Sequence, residues 1–335
     1  VDGPVSIGCP WRYGRVSGDG ASENETCGEK TCKKFKRSYL ILGFSGYLTA
    51  VILYLTYVFS RRESHGALGH RILLGASLLH TASLCIGLWL ESHRPGHLAY
   101  GFWSNWFESL SLFSLLIVVV FLVVQTRARL AILGAFVLPW AVFLMGLALT
   151  QAFLASPRCP FASVEDFLKI ADTARRLPAL PSSLWSAIHV PLLFFAYAAF
   201  ANGFGIGLAF LIQERQLKTH RSTQLGYRLP SLEEMDRLIA RLIAAAFPAL
   251  TVGLVLGIVW ARSAWGDRWI YDPKILWSLV VWGVYLAYLV LRYAFNWRGR
   301  RGAYLSLAGF LFVLISYTGI NYVSKGHSYV VGEKE

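Results

Sequence analysis

Charge is scarce in this chain. Only 15% of its 335 residues are charged, against 55% that are hydrophobic, and the mean hydropathy of +0.48 is too apolar for a soluble globular protein of this size. Short segments of alternating polarity are absent, which excludes a membrane β-barrel. No Cys-x-x-Cys-His occurs, so the chain is not itself a c-type cytochrome. Residues 1–37 carry no signal-peptide pattern. Gly203-Phe-Gly205-Ile-Gly207 lacks the preceding strand that a dinucleotide fingerprint needs. Small residues at that spacing suit close helix packing in lipid.

What is present in quantity is apolar runs of about 20 residues, the length that crosses about 30 Å of hydrocarbon. They fall at 38–59, 67–91, 104–125, 130–154, 187–213, 239–261, 274–295 and 302–323. The chain therefore reads as an all-α, polytopic helical membrane protein with about eight transmembrane helices. Residues 1–37 form a polar external segment and 38–335 the membrane domain. The net charge of +13 sits mainly in loops between spans. That distribution fits the anionic headgroups of a lipid bilayer and argues against nucleic acid. Arg61, Arg62, Arg127 and Arg129, the group Arg215 to Arg241, and Arg292, Arg298, Arg300 and Arg301 all fall on one side if the spans alternate. By the positive-inside rule that side is cytoplasmic and both termini are outside. Lys33, Lys34, Lys36 and Arg37 oppose this and are outvoted.

Among the five cysteines, Cys85 lies in an apolar run and reads as a buried packing residue. Cys9, Cys27, Cys32 and Cys159 lie outside the spans. In an oxidising compartment they are disulfide candidates; a loosely ordered tail accounts for the first three equally well.

The densest feature is Trp265-Gly-Asp-Arg268-Trp269-Ile-Tyr271-Asp272-Pro-Lys274-Ile-Leu-Trp277, between two spans. An aromatic belt needs fewer rings than this, and the cluster suggests a platform for a planar ligand. Asp272-Pro273 also reads as an N-cap and first helical residue. His189 opens the fifth span and His327 follows the eighth. Four crossings separate them, and the tryptophan-rich loop is two crossings from each, so all three face one side whichever way the chain is inserted. Either histidine alone reads as an ordinary interfacial residue. Together over an aromatic surface they are what six-coordinate haem b requires, with neutral imidazole nitrogens binding iron axially. Arg268 and Lys274 are candidates to meet the propionates. His80, inside the second span, is expected to be hydrogen-bonded to a neighbouring helix rather than to hold iron. Glu108, at a span entrance, is expected to cap or hydrogen-bond.

Trp265-Gly-x-x-Trp269-x-x-Asp272-Pro-Lys-x-x-Trp277-Ser, followed by Trp282 and Tyr285, resembles the tryptophan-rich signature of the CcsA/ResC type of cytochrome c assembly proteins. Leu184-Trp185-x-x-Ile188-His189-Val190 resembles that family's first external-histidine segment. Tyr317-x-Gly319-Ile-Asn321-Tyr322 with Gly326-His327-Ser328-Tyr329 resembles its closing segment. The resemblance implies a protein that presents haem at the outer face of an energy-transducing membrane, bacterial inner or thylakoid-type, for attachment to apocytochrome c. It implies His189 and His327 as axial ligands, and Trp265, Trp269, Tyr271, Asp272 and Trp277 as the platform. It also implies a ResB-type partner with which the chain forms a haem lyase or synthase. The chain departs from the pattern at three places. Tyr271 replaces a tryptophan, Ile275 a glutamate, and Val290 the membrane histidine of a Tyr-Leu-His-x-Arg segment. Valine cannot ligate iron. A repurposed relative, serving as a membrane subunit of a respiratory electron-transfer complex, is the alternative that these departures leave.

Overall fold

A computed structural model describes residues 27–60, 63–92, 106–126, 128–154, 184–220, 226, 228–265 and 270–319. They form eight helices: α1 (Cys27–Phe59), α2 (Glu63–Ser92), α3 (Trp106–Gln125), α4 (Gly134–Leu154, entered through a 3-10 turn, Ala128–Leu133), α5 (Leu184–Lys218), α6 (Leu232–Trp265), α7 (Pro273–Tyr293) and α8 (Arg300–Leu314). No strand occurs among the described residues. Helices are what an apolar chain must form in lipid, where each backbone N–H and C=O needs a partner within its own segment.

Seven of the helices, α1 to α7, are long and apolar enough to cross a membrane. α8 has 15 residues and continues as a π turn, Ile315–Gly319. The end of the expected eighth span, 320–323, lies outside the described residues. The candidate span of α1 begins at Ser38, although the helix itself starts at Cys27. α5 and α6 overshoot their apolar runs, and Lys218–Glu214 and Arg237–Glu233 ion pairs one turn apart decorate the overshoots. Such pairs support helix where no apolar face does.

Sequence neighbours pack as pairs: α1 on α2, α3 on α4, α5 on α6, with α8 set between α5 and α7. Glycine decides two of the close approaches. A side chain at Gly205 would collide with the backbone of Phe136 and Val137 on α4, and one at Gly207 with Leu307 on α8. The small-residue stretch on α5 is therefore a packing surface, as expected from its spacing. Where α3, α5 and the π turn meet, Phe113 stacks on Phe194 at 5.6 Å, and Tyr317 packs edge-on against both.

Apolar residues fill the core and also face outward, as a bilayer permits, while polar groups within the spans are turned inward. Ile41, Leu48, Ile52 and Leu55 of α1, and Val252, Val255, Val259, Leu279 and Val280 of α6 and α7, are exposed. Buried polar groups tie helices together: Tyr54 donates to Gln125 (2.7 Å), Ser114 to the Ala141 carbonyl (2.8 Å) and Asn202 to the Ile117 carbonyl (3.1 Å). Cys85 is exposed on α2, contrary to the expectation of a buried residue. An apolar run in a membrane helix is apolar on every side, so the run alone does not say which side faces the core.

A cluster of basic residues lies at one end of the bundle. There Arg228 donates to the carbonyls of Tyr57 (2.5 Å) and Ser60 and lies over the Tyr57 ring. It thus serves the open carbonyls at the C-terminus of α1. Asp236 accepts from Arg292 at 2.7 Å and from the Gly299 N–H at 2.8 Å, and both charged side chains are buried. Gly299 has φ 68°, a left-handed turn that suits glycine. Asn296, at φ 53°, completes the tight link from α7 to α8.

Candidate functional site

The opposite end carries His189 and the start of α7. His189 lies near the start of α5, half-buried against α6. Its Nδ1 sits 2.6 Å from the Gly253 carbonyl. A carbonyl only accepts, so Nδ1 carries the proton and, in a neutral ring, the lone pair is on Nε2. That is how a backbone carbonyl fixes a histidine for metal ligation through its second nitrogen. The ring rests directly on Gly257, where any added Cβ would overlap the imidazole. Leu193, one turn along α5, rests in the same way on Gly253. Gly253 and Gly257 are four apart, so they share a face and let the two backbones close up. Sequence reading missed this seat. The Gly-x-x-x-Gly spacing was the available signal.

One turn beyond Gly257, Trp260 and Ala261 pack against Ile275, in the first turn of α7. The structure therefore brings His189 to the end of the bundle where the tryptophan-rich stretch enters and leaves. Trp265 is the last residue of α6. Arg268 and Trp269 lie outside the described residues, and so does His327. Tyr271 is 82% exposed. Asp272 is half-buried, and its Oδ1 accepts from the backbone N–H groups of Lys274 (2.9 Å) and Ile275 (3.3 Å). Asp272-Pro273 is thus the helix start expected of it. Lys274 is half-buried in the first turn.

Trp277 and Trp282 are anchored from α7 in different directions. The Trp277 indole N–H donates to the Phe312 carbonyl of α8 (3.0 Å), while that of Trp282 donates to Thr251 of α6 (3.0 Å) and its ring stacks on Phe247. Interhelical bonds spend both polar handles, which holds α7 between α6 and α8.

His80 lies elsewhere and is fully accounted for. It is 1% exposed, with Nδ1 bonded to the Tyr47 hydroxyl (3.1 Å) and Nε2 to that of Ser111 (2.6 Å). Tyr47 belongs to α1 and Ser111 to α3, so this imidazole joins three helices, as the sequence reading expected. Glu108 is 4% exposed, further inside than its place at a span entrance implied. Val290 is 46% exposed on α7, facing away from the bundle, while its neighbours Tyr288 and Arg292 face in. Among the described residues no three His, Cys, Asp or Glu side chains gather as a metal cluster.

Residues 103–328 match the family described as cytochrome C assembly protein. This chain belongs to that family. Relatives carrying the name cytochrome c biogenesis protein CcsA are similar over most of their length. The one from Guillardia theta is 30% identical over 321 residues, covering 88% of this chain and 98% of its own. That of Synechococcus sp. CC9605 is 31% identical, covering 86% and 95%. That of Prochlorococcus marinus MIT 9303 is 32% identical, covering 76% and 81%. Membership extends across every described helix from α3 to α8 and includes the His189 seat and the start of α7.

Proposed function

We propose that this protein acts in cytochrome c maturation, holding haem b at the outer membrane face and presenting it to apocytochrome c. Family membership supports the process. The observation that supports the site is His189, set by the Gly253 carbonyl with its ligating lone pair on Nε2. His189 and His327 are the axial ligands. Trp265, Trp269, Tyr271, Asp272 and Trp277 form the platform, and Arg268 and Lys274 meet the propionates. As substrate, haem supplies two vinyl groups, and each takes up one S–H of a Cys-x-x-Cys-His motif across its C=C bond to give a thioether with no atom lost. This chain contributes position. Fixing two reactants in register accounts for a large part of such a barrier. A ResB-type partner completes the machine, in a bacterial inner membrane or a thylakoid-type membrane.

The purified protein with haem tests this through its absorption spectrum. A low-spin signature, lost or weakened in both His189→Ala and His327→Ala, is the expected result. An unchanged spectrum in the double variant removes the site. The second reading, a membrane subunit of a respiratory electron-transfer complex, is favoured by Val290, which cannot supply the usual membrane ligand. Co-expression with an apocytochrome and a ResB-type partner separates the two. Holocytochrome forms under the first reading, whereas bound haem without any maturation leaves the second.

A further inference from the structure

The inner face of α7 is polar along most of its length. Of its six buried residues, Ser278, Tyr285, Tyr288 and Arg292 carry polar groups, and only Ile275 and Val281 do not. In lipid, polar residues on an inner face mark the routes of polar species. Two of the four have protein partners: Arg292 bonds Asp236, and Ser278 donates to the Lys274 carbonyl (2.8 Å). The hydroxyls of Tyr285 and Tyr288, 1% and 2% exposed, have no hydrogen-bond partner among the described residues. Neither does Ser306 Oγ, 1% exposed, on the facing helix α8. Buried hydroxyls are costly unless paired, and in native interiors water supplies the partner that protein does not.

The facing surface of α8 has room for such partners. A methyl group placed on Gly302 would meet, as its three nearest neighbours, Asp236 Oδ1 at 3.7 Å, the Trp297 carbonyl oxygen at 3.8 Å and the Tyr288 hydroxyl at 3.8 Å. All three are oxygens. A small space ringed by three polar atoms is what a buried water needs. One turn on, Ser306 Oγ faces Gly203 of α5, and beyond it Gly309 faces the Tyr285 ring and hydroxyl. Tyr285 in turn neighbours Tyr197 of α5, whose hydroxyl interacts with Ser278. A cation is a poorer occupant of the Gly302 space, because the Arg292 guanidinium already lies on Asp236 Oδ1.

We propose that the seam between α5, α7 and α8 binds a file of ordered water. The file is anchored at Gly302 between Asp236, Trp297 and Tyr288, reaches Tyr285 in the middle of α7, and exchanges with bulk solution at the basic end of the bundle. It does not depend on haem. The test is pulsed radiolytic hydroxyl labelling of the full chain in lipid vesicles, in ¹⁸O-enriched water, read by mass spectrometry. Tyr54 is equally buried but bonded to Gln125, and serves as the dry control. Tyr285 and Tyr288 are expected to label roughly tenfold more heavily than Tyr54 and to carry the bulk isotope. Labelling no heavier than that of Tyr54 overturns the proposal. A second measurement uses Gly302→Ala, whose added methyl meets nothing closer than 3.7 Å and should leave the fold intact. It is expected to lower labelling at Tyr288, with circular dichroism showing the helices retained. Labelling at Tyr288 unchanged by the filled space also overturns the anchor. Tyr285→Phe gives an opposite-sign check. A hydrated hydroxyl makes the variant less stable, whereas a dry, unpaired one makes it more stable and sinks the idea.

Discussion

Two histidines divide the molecule. His80 sits inside the first half, and side chains from α1 and α3 hold its two ring nitrogens. His189 sits at the end of the second half and leans on the bare backbone of α6, with Nδ1 committed to a carbonyl. The first arrangement makes an imidazole into a fastener. In the second, the backbone contact fixes the ring plane and the tautomer together, which is what the proposed ligand role needs. The two rings differ in what holds them, side chains at His80 and a backbone carbonyl at His189.

The sharpest way to break this contrast is His189→Ala. It is expected to abolish or strongly weaken the low-spin haem spectrum while leaving unfolding nearly unchanged, whereas His80→Ala should do the reverse. A His80→Ala chain that folds should keep its spectrum but lose about 3 kcal/mol, because Tyr47 and Ser111 both lose a partner in the interior. Thermal unfolding in detergent with parallel spectra reads both. Gly257→Ala comes next. The added methyl overlaps the imidazole, so the spectrum should shift or weaken although no ligand has been removed. An unaltered spectrum would mean that the glycine seat does not set the ring. Ser111→Ala removes one of the two bonds to His80 and should cost about 1–2 kcal/mol with no spectral effect. The smallest effect is expected of Val290→His. Position 290 faces out of the bundle, so in the isolated chain a histidine there should add no axial ligand and leave the spectrum as it was.

Much of the architecture was legible because bilayer thickness sets the length of an apolar run. Seven of the eight expected spans appear among the described residues as helices long and apolar enough to cross, and α8 has 15 residues. Their ends were less so. α5 runs to Lys218 and α6 begins at Leu232, since charged pairs such as Glu214–Lys218 extend a helix after its apolar face has ended. Sidedness within a helix was hardest. Cys85 was placed inside and lies outside, because hydrophobicity does not distinguish a lipid-facing residue from a core one. The polar residues were the better guide. His80 and the inward stripe of α7 both obey the rule that a polar group in a membrane turns to the interior. At the site, His189, Asp272 and Pro273 were recognisable from position and residue type. Gly253 and Gly257 were not, although they set the imidazole, because a glycine announces only an absence of side chain and not what will lean on it.

The Arg228 clasp bears on the order in which the chain can be finished. The carbonyls of Tyr57 and Ser60 receive their donor from a residue 171 and 168 positions downstream. Chains are made from the N-terminus, so the first helical hairpin must wait, its end served by solvent, until α5 and the connection after it have been made. Translation past residue 228 is then the point at which this one link between the first hairpin and the later helices can close.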